Sequence, residues 1–260
     1  MDAIVETVAA TAMSGDPDPF VLRLLLTRYR ATGDERLFDV LGAALARGID
    51  RCAIERDAGE RSAWLVTLAA ATAISDDEML AAAIRTLLES LSQMATPSSI
   101  DASLSGAAAI SDNERLPSIV DNLERTVARA YEPGDGVLLD ASDRFAAVDQ
   151  VEAASALLTA YDITRRLPYS MLAEELMQTV RAHGAGPPNV REASQAAEVL
   201  CRLAALHRDE SYRAAAVVAP DADYRADAER MIAGCETDSF DSPRVAAMFG
   251  LALARWLDLQ

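Results

Sequence analysis

"LLTAYDITRRLPYSMLAEELMQTV", residues 157–180, decides the fold. It reads as an apolar helix ending near Tyr161, a short polar break, and a second, amphipathic helix. The same order of parts occurs earlier in "LLLTRYRATGDERLFDVLGAAL", residues 24–45. In both, apolar residues recur every three to four positions, the spacing that places them on one helical face. A helix–break–helix unit that recurs along a chain marks a hairpin repeat.

Further breaks of this kind complete the pattern. Short polar links stand at 32–35 ("TGDE"), 75–78 ("SDDE"), 111–114 ("SDNE"), 165–168 ("RRLP") and 207–210 ("HRDE"). Their chemistry suits helix ends. Gly33 can take positive φ at a C-terminus. Asp34, Ser75, Ser111 and Asp209 are good N-caps, and the acids after them favour the positive end of a helix dipole. The alternate connections are longer: 14–19, 55–62, 96–103, 131–144, 183–192 and 235–244. Short links at one end of each hairpin and long ones at the other gather the long loops on one face.

The helices fall into two kinds. Those after long loops are apolar nearly all round, as in "WLVTLAAATAI" and "AAVDQVEAASALL", which marks helices enclosed by protein. Those after short links, such as "EMLAAAIRTLLESL" and "LPSIVDNLERTVARA", carry Arg and Glu on one side. About twelve helices are predicted, with 210–234 interrupted near Pro220. Six form an inner set and six an outer set, and residues 2–13 cover the last inner helix, 243–258, by closing the circle. The prediction is an all-α (α/α)6 toroid, one domain over residues 1–260.

Composition agrees with an all-α chain and excludes several partners. Of the 260 residues, 51% are hydrophobic and 25% charged, which suffices for a large core. The net charge of −17 argues against nucleic acid and anionic membrane surfaces, which need a basic face. All 24 cations are Arg. The three cysteines, Cys52, Cys201 and Cys235, form no C-x-x-C and read as reduced thiols of a cytoplasmic protein. No basic leader opens the sequence and no apolar run spans a bilayer. His183 and His207 lack partners at metal-ligand spacing, so neither metal nor cofactor is expected.

The hairpins at 154–180 ("ASALLTAYDITRRLPYSMLAEELMQTV") and 193–216 ("ASQAAEVLCRLAALHRDESYRAAA") resemble those of six-hairpin toroids. They look most like the toroid of thioredoxin-domain proteins of the spermatogenesis-associated class. That class is related to N-acylglucosamine 2-epimerases and six-hairpin glycosidases. The resemblance implies a funnel that takes a sugar. It departs from the class in lacking a thioredoxin domain, and no catalytic motif of the family is matched.

Candidate chemistry lies on the long-loop face, where acids crowd: Asp16, Asp18, Glu55, Asp57, Asp101, Asp140, Asp143, Asp149, Glu192, Asp238 and Asp241. Glycoside hydrolysis needs two carboxylates, one as acid and one as nucleophile or base. Asp143, Asp149 and Glu192, near the starts of two inner helices, are the candidates. Each also suits capping. Asp149, Gln150 and Glu152 interrupt an otherwise apolar inner helix, and Gln195 and Glu198 do so one hairpin later. Buried polar groups find partners or face a cavity. Gln150 and Gln195 are therefore candidate ligand contacts. Arg144 and Arg191 could clamp a ligand or pair with acids, as could Arg244. Trp64 is a candidate stacking platform or a core residue. "EPGDG" (132–136) is a turn.

Three functions follow. The first is a toroid that binds a carbohydrate-like small molecule in its funnel without turnover. The second is a glycan hydrolase or sugar epimerase using funnel carboxylates. The third is an open helical-repeat scaffold that presents its long-loop face to a protein. Closure of the ring separates the third from the others.

Overall fold

The computed structural model describes residues 1–139, 145–183, 189–235 and 240–260. Among them are thirteen helices: α1 (Asp2–Ser14), α2 (Pro19–Thr32), α3 (Glu35–Ile54), α4 (Ala58–Ala71), α5 (Glu78–Leu91), α6 (Pro97–Ala109), α7 (Leu116–Ala130), α8 (Ala147–Thr164), α9 (Leu167–Ala182), α10 (Val190–Leu206), α11 (Glu210–Ala216), α12 (Tyr224–Ala233) and α13 (Pro243–Leu257). A two-stranded antiparallel hairpin, β1 (Tyr131–Glu132) and β2 (Gly136–Val137), links α7 to α8.

The ring closes. α2, α4, α6, α8, α10 and α13 pack in that order, and α13 returns to α2. The outer helices sit over the seams: α1 on α13 and α2, α3 on α2 and α4, α5 on α4 and α6, α7 on α6 and α8, α9 on α8 and α10. The chain is therefore the (α/α)6 toroid that its hairpin rhythm predicts, not an open solenoid. At the closure, Gly250 of α13 admits Leu24 of α2. A Cβ at Gly250 would stand 2.8 Å from Leu24 Cδ2, so a larger residue would force the Leu24 side chain to shift.

Local capping explains most helix starts and corrects some expectations. Asp34 accepts a hydrogen bond from the Arg36 N–H at 3.1 Å, and Asp209 from the Ser211 N–H at 2.8 Å, as read from the sequence. Gly33 ends α2 at φ +65°. Ser75 and Ser111 do not cap. The cap of α5 is Asp77, which accepts from the Met79 N–H at 2.9 Å. Ser111 lies beyond α6 at φ +55°, and Asp112 accepts from the Arg115 N–H at 3.2 Å. α6 begins at Pro97, inside the stretch 96–103 that reads as a connection, because Thr96 receives the Ser99 N–H at 3.3 Å and proline is preset for a first turn.

The sixth outer position holds two short helices. α11 packs on α9, while α12 covers α10 and α13. Glu174 of α9 ties down the connection between them. Its carboxylate, fully buried, accepts from the backbone N–H groups of Val218 and Ala219 at 2.9 and 3.1 Å. It also accepts from the Tyr224 hydroxyl at 3.0 Å and lies 2.9 Å from His207 Nε2. Burying a carboxylate is costly unless its oxygens are paired, and here four donors meet it. Glu174→Ala orphans all four. It is expected to lower the unfolding free energy by about 3 kcal/mol, seen as a reduced urea midpoint with an unchanged slope.

Candidate active site at the ring axis

Each inner helix begins at the long-loop end of the ring. Three of those first turns meet through one side chain. Arg244, in the first turn of α13, pairs with Asp18 at 2.6 Å and with both oxygens of Glu60 at 2.5 and 2.6 Å. Asp18 is also the N-cap of α2, accepting from the Phe20 and Val21 N–H groups. Glu60 lies in the first turn of α4. α13 and α4 are not neighbours in the ring, so this bridge crosses its inner side. The guanidinium also lies over the Phe20 ring, 5.2 Å from its centroid. The two carboxylates hold Arg244 more firmly protonated than an ordinary arginine.

A second bridge crosses deeper. Arg23 of α2 reaches Glu198 of α10 at 3.2 Å, passing the seam occupied by α13. Between α6 and α8, the Ser155 hydroxyl donates to Asp101 at 2.7 Å. Arg202 of α10 donates to the Ser155 backbone oxygen, to Thr159 and to Asp162.

These residues share a pattern. Asp149, Glu152, Ser155 and Thr159 are half-buried along α8, while positions 150–161 are otherwise buried. Gln195, Glu198 and Arg202 repeat this on α10, Phe20, Arg23 and Thr27 on α2, and Ser98, Asp101 and Ser105 on α6. Steps of three and four residues keep each set on one helical face. The other faces are covered by neighbouring helices, so this partial exposure opens toward the axis. The result is an axial face lined by carboxylates, hydroxyls, amides and guanidinium groups.

Glu152 is the unusual carboxyl in this wall. Burial raises its pKa above the ordinary value of 4.5. A hydrogen bond with Ser98 and the charge of Arg191 pull it down, while the charges of Asp149 and Asp101 push it further up. Helices α6, α8 and α10 thus converge on one group whose ionisation is disfavoured.

The predicted site residues separate. Asp149 and the exposed Arg191 come near enough to Glu152 for their charges to act on it, with Gln195 one turn along from Arg191 on the same face. Gln150 turns away. It is fully buried, accepts from the Val137 N–H at 2.8 Å and donates to the Val137 oxygen at 2.6 Å, anchoring the hairpin rather than facing ligand. The fit requires Gly136, where a Cβ would meet the Gln150 oxygen. Trp64 is 1% exposed, and its ring edge lies against Gly48 of α3. It is core, with no face open for stacking. Glu192 is exposed and closes a reciprocal cap with Asn189, bonding it at 2.9 and 3.0 Å. Asp143 and Arg144 lie outside the described residues, as do Asp140 and Asp238. Sequence reading did not select Glu60, Arg23, Ser155 or Arg202. The signal was the three-to-four spacing of polar residues within apolar helices. Among the described residues, no group of three His, Cys, Asp or Glu side chains is placed to hold a metal ion, and no helix is long and apolar enough to cross a membrane.

The fold has a solved counterpart. The chain is similar to the GH76A alpha-1,6-mannanase from Salegentibacter sp. HEL1_6, with a TM-score of 0.63 over 99% of this chain and 98% of that one. Sequence identity is 9%, so the likeness is one of fold. No protein-family model and no curated protein matches the chain in sequence.

The raised pKa of Glu152 has a thermodynamic sign. A carboxyl raised in the folded state contributes stability that is complete below its unfolded value. That contribution is lost as pH rises through the folded one. Glu152→Gln mimics the protonated form and escapes this loss. Its melting temperature should exceed that of the parent by roughly 1–3 °C at pH 7, and the difference should vanish below about pH 4. An equal difference at both pH values would contradict the assignment.

Proposed function

We propose that the chain binds a neutral carbohydrate at the axial face, with Asp149, Glu152, Asp101, Gln195 and Arg191 as its polar contacts. The observation that carries this reading is the half-buried polar stripe on consecutive inner helices. Hydroxyl-rich ligands need many donors and acceptors held at fixed positions, and a concave site with few convergent charged groups supplies them. The acidic wall disfavours anionic ligands. The mannanase neighbour makes α-1,6-linked manno-oligosaccharides the first probes to try. The resemblance of residues 154–216 to toroids related to sugar epimerases and six-hairpin glycosidases also supports a sugar as ligand.

A second reading, hydrolysis of a glycosidic bond, is favoured by Glu152. Burial raises its pKa and so favours the protonated form that a general acid needs to give a proton to a leaving-group oxygen. Asp149 lies one helical turn away on the same face and would act as the ionised partner.

The test is a thermal-shift titration with mono- and oligosaccharides, parent beside Asp149→Asn and Gln195→Ala. A ligand that binds the native state raises the melting temperature by mass action, about 2.7 kcal/mol of stability at a hundredfold excess over Kd. The expected result is a sugar-dependent rise that both variants weaken while keeping their unliganded melting temperatures within a few degrees of the parent. No rise with any sugar would overturn the binding reading. For hydrolysis, reducing-end release from the bound sugar should fall at least about a hundredfold in Glu152→Gln with binding retained. Binding without release in the parent would leave the axial face a receptor.

A further inference from the structure

The outer layer has a gap. α1 packs on α3 and α3 on α5, but α5 and α7 straddle α6 around a cavity of about 560 Å³. That volume is in the range of small-molecule sites. The cavity lies outside the ring and shares no residue with the axial stripe.

Its chemistry is two-sided. Leu88 and Leu91 of α5, Ile100 of α6 and Ile119 of α7 give it an apolar floor. Arg115, the residue just before α7, and Arg125 of α7 border it. In a chain of net charge −17, two guanidinium groups and one carboxylate, Glu89, line this hollow, so arginine outnumbers acid there. Arg115 spends part of its capacity on acids, with Nη2 3.3 Å from Glu89 and Nε 3.4 Å from Asp112. Its Nη1 is buried and has no hydrogen-bond partner among the described residues. Arg125 makes no ion pair among them. A buried donor on a cation is costly to leave unmet, and an oxyanion would satisfy it. Asn122 donates to the Met94 oxygen at 3.4 Å, which leaves its own side-chain oxygen as an acceptor at the same rim.

We propose that the cavity between α5 and α7 binds a small amphiphile with an oxyanion head and an apolar tail. The head meets Arg115 and Arg125, and the tail lies on the Leu–Ile floor. Glu89 also lines the cavity and opposes an anion, so the head must engage Arg115 on the Nη1 edge, away from the Glu89 pair.

Calorimetry on the whole chain tests this with three probes: octanoate, octyl phosphate and the neutral octanol. The expected result is that both anions bind at least tenfold more tightly than octanol. Arg115→Gln and Arg125→Gln should each erase most of that preference. Ile119→Trp, which fills the cavity from the apolar side, should abolish binding of all three with its melting temperature within a few degrees of the parent. Equal affinity for octanol and octanoate, no binding of any probe, or unchanged anion affinity in Arg115→Gln would each overturn the proposal. A preference for one anion over the other assigns the head as carboxylate or phosphate. The axial reading stands apart from this result, because its test uses sugars and residues of α8 and α10.

Discussion

The closure of the ring at Arg244 is the constraint on which the rest depends. A hairpin repeat can stack indefinitely, as solenoids do, unless its first and last units meet. Here the first turn of α13 meets the first turns of α2 and α4 through one guanidinium and two carboxylates. Asp18 serves twice, since the carboxyl that caps α2 also receives Arg244. The pairing is partly exposed, so screening keeps its contribution modest. Its geometry matters more: bidentate contact to Glu60 fixes the angle at which the last inner helix enters, and the Leu24–Gly250 contact then closes the apolar layer behind it.

A closed ring creates an enclosed axis, and an enclosed axis changes what polar side chains can do. On an open superhelix the faces carrying Glu152 and Glu198 would be washed by solvent. Inside the ring they stand half-buried among one another's charges. Three answers appear along the wall. Arg23–Glu198 and Arg202–Asp162 cancel charge by pairing. Ser155 and Thr159 spread hydrogen bonds between helices. Glu152 is left to raise its pKa. A fold selected for stability alone would place leucine or alanine at such a position, so the retained carboxyl is where the structure departs from local consistency.

Much of the architecture is legible in the residues because each hairpin states its own ends. Capping chemistry and loop length say which helices pair, and all-round apolarity says which are inner. Errors arise where two caps compete within three residues, as Ser75 and Asp77 do, and where a Thr–Pro start hides in a serine-rich stretch at 96–99. The split of the last outer helix was visible as Pro220, but its fastening was not. Glu174 reads as one more outer-face acid until α11 and α12 fold over it. The site is less legible for a geometric reason. Consecutive helical residues point about 100° apart, so "DQVE" in an apolar run announces polar groups without saying where each aims. Asp149 and Glu152 share the axial face, while Gln150, between them, turns to the β-hairpin that only the preceding loop provides. Trp64 fails in the same way, since an inner helix has a core-facing side as well as an axial one.

The distribution of charge separates the two sites that the fold contains. Along the axis, carboxylates from α2, α4, α6, α8 and α10 outnumber the arginines that reach them, and a low-dielectric wall strengthens every such charge. A ligand entering there meets an acceptor-rich surface and gains most if it is neutral and rich in hydroxyl donors. On the outer flank, the cavity between α5 and α7 presents two arginines above leucine and isoleucine, and the gain passes to an anion with an apolar body. Both follow from one architectural fact. The inner helices converge their first turns and so concentrate whatever charge they carry, whereas the outer helices need not touch. Where α5 meets the start of α7 through the Arg115–Glu89 pair rather than by close packing, a gap is left above α6.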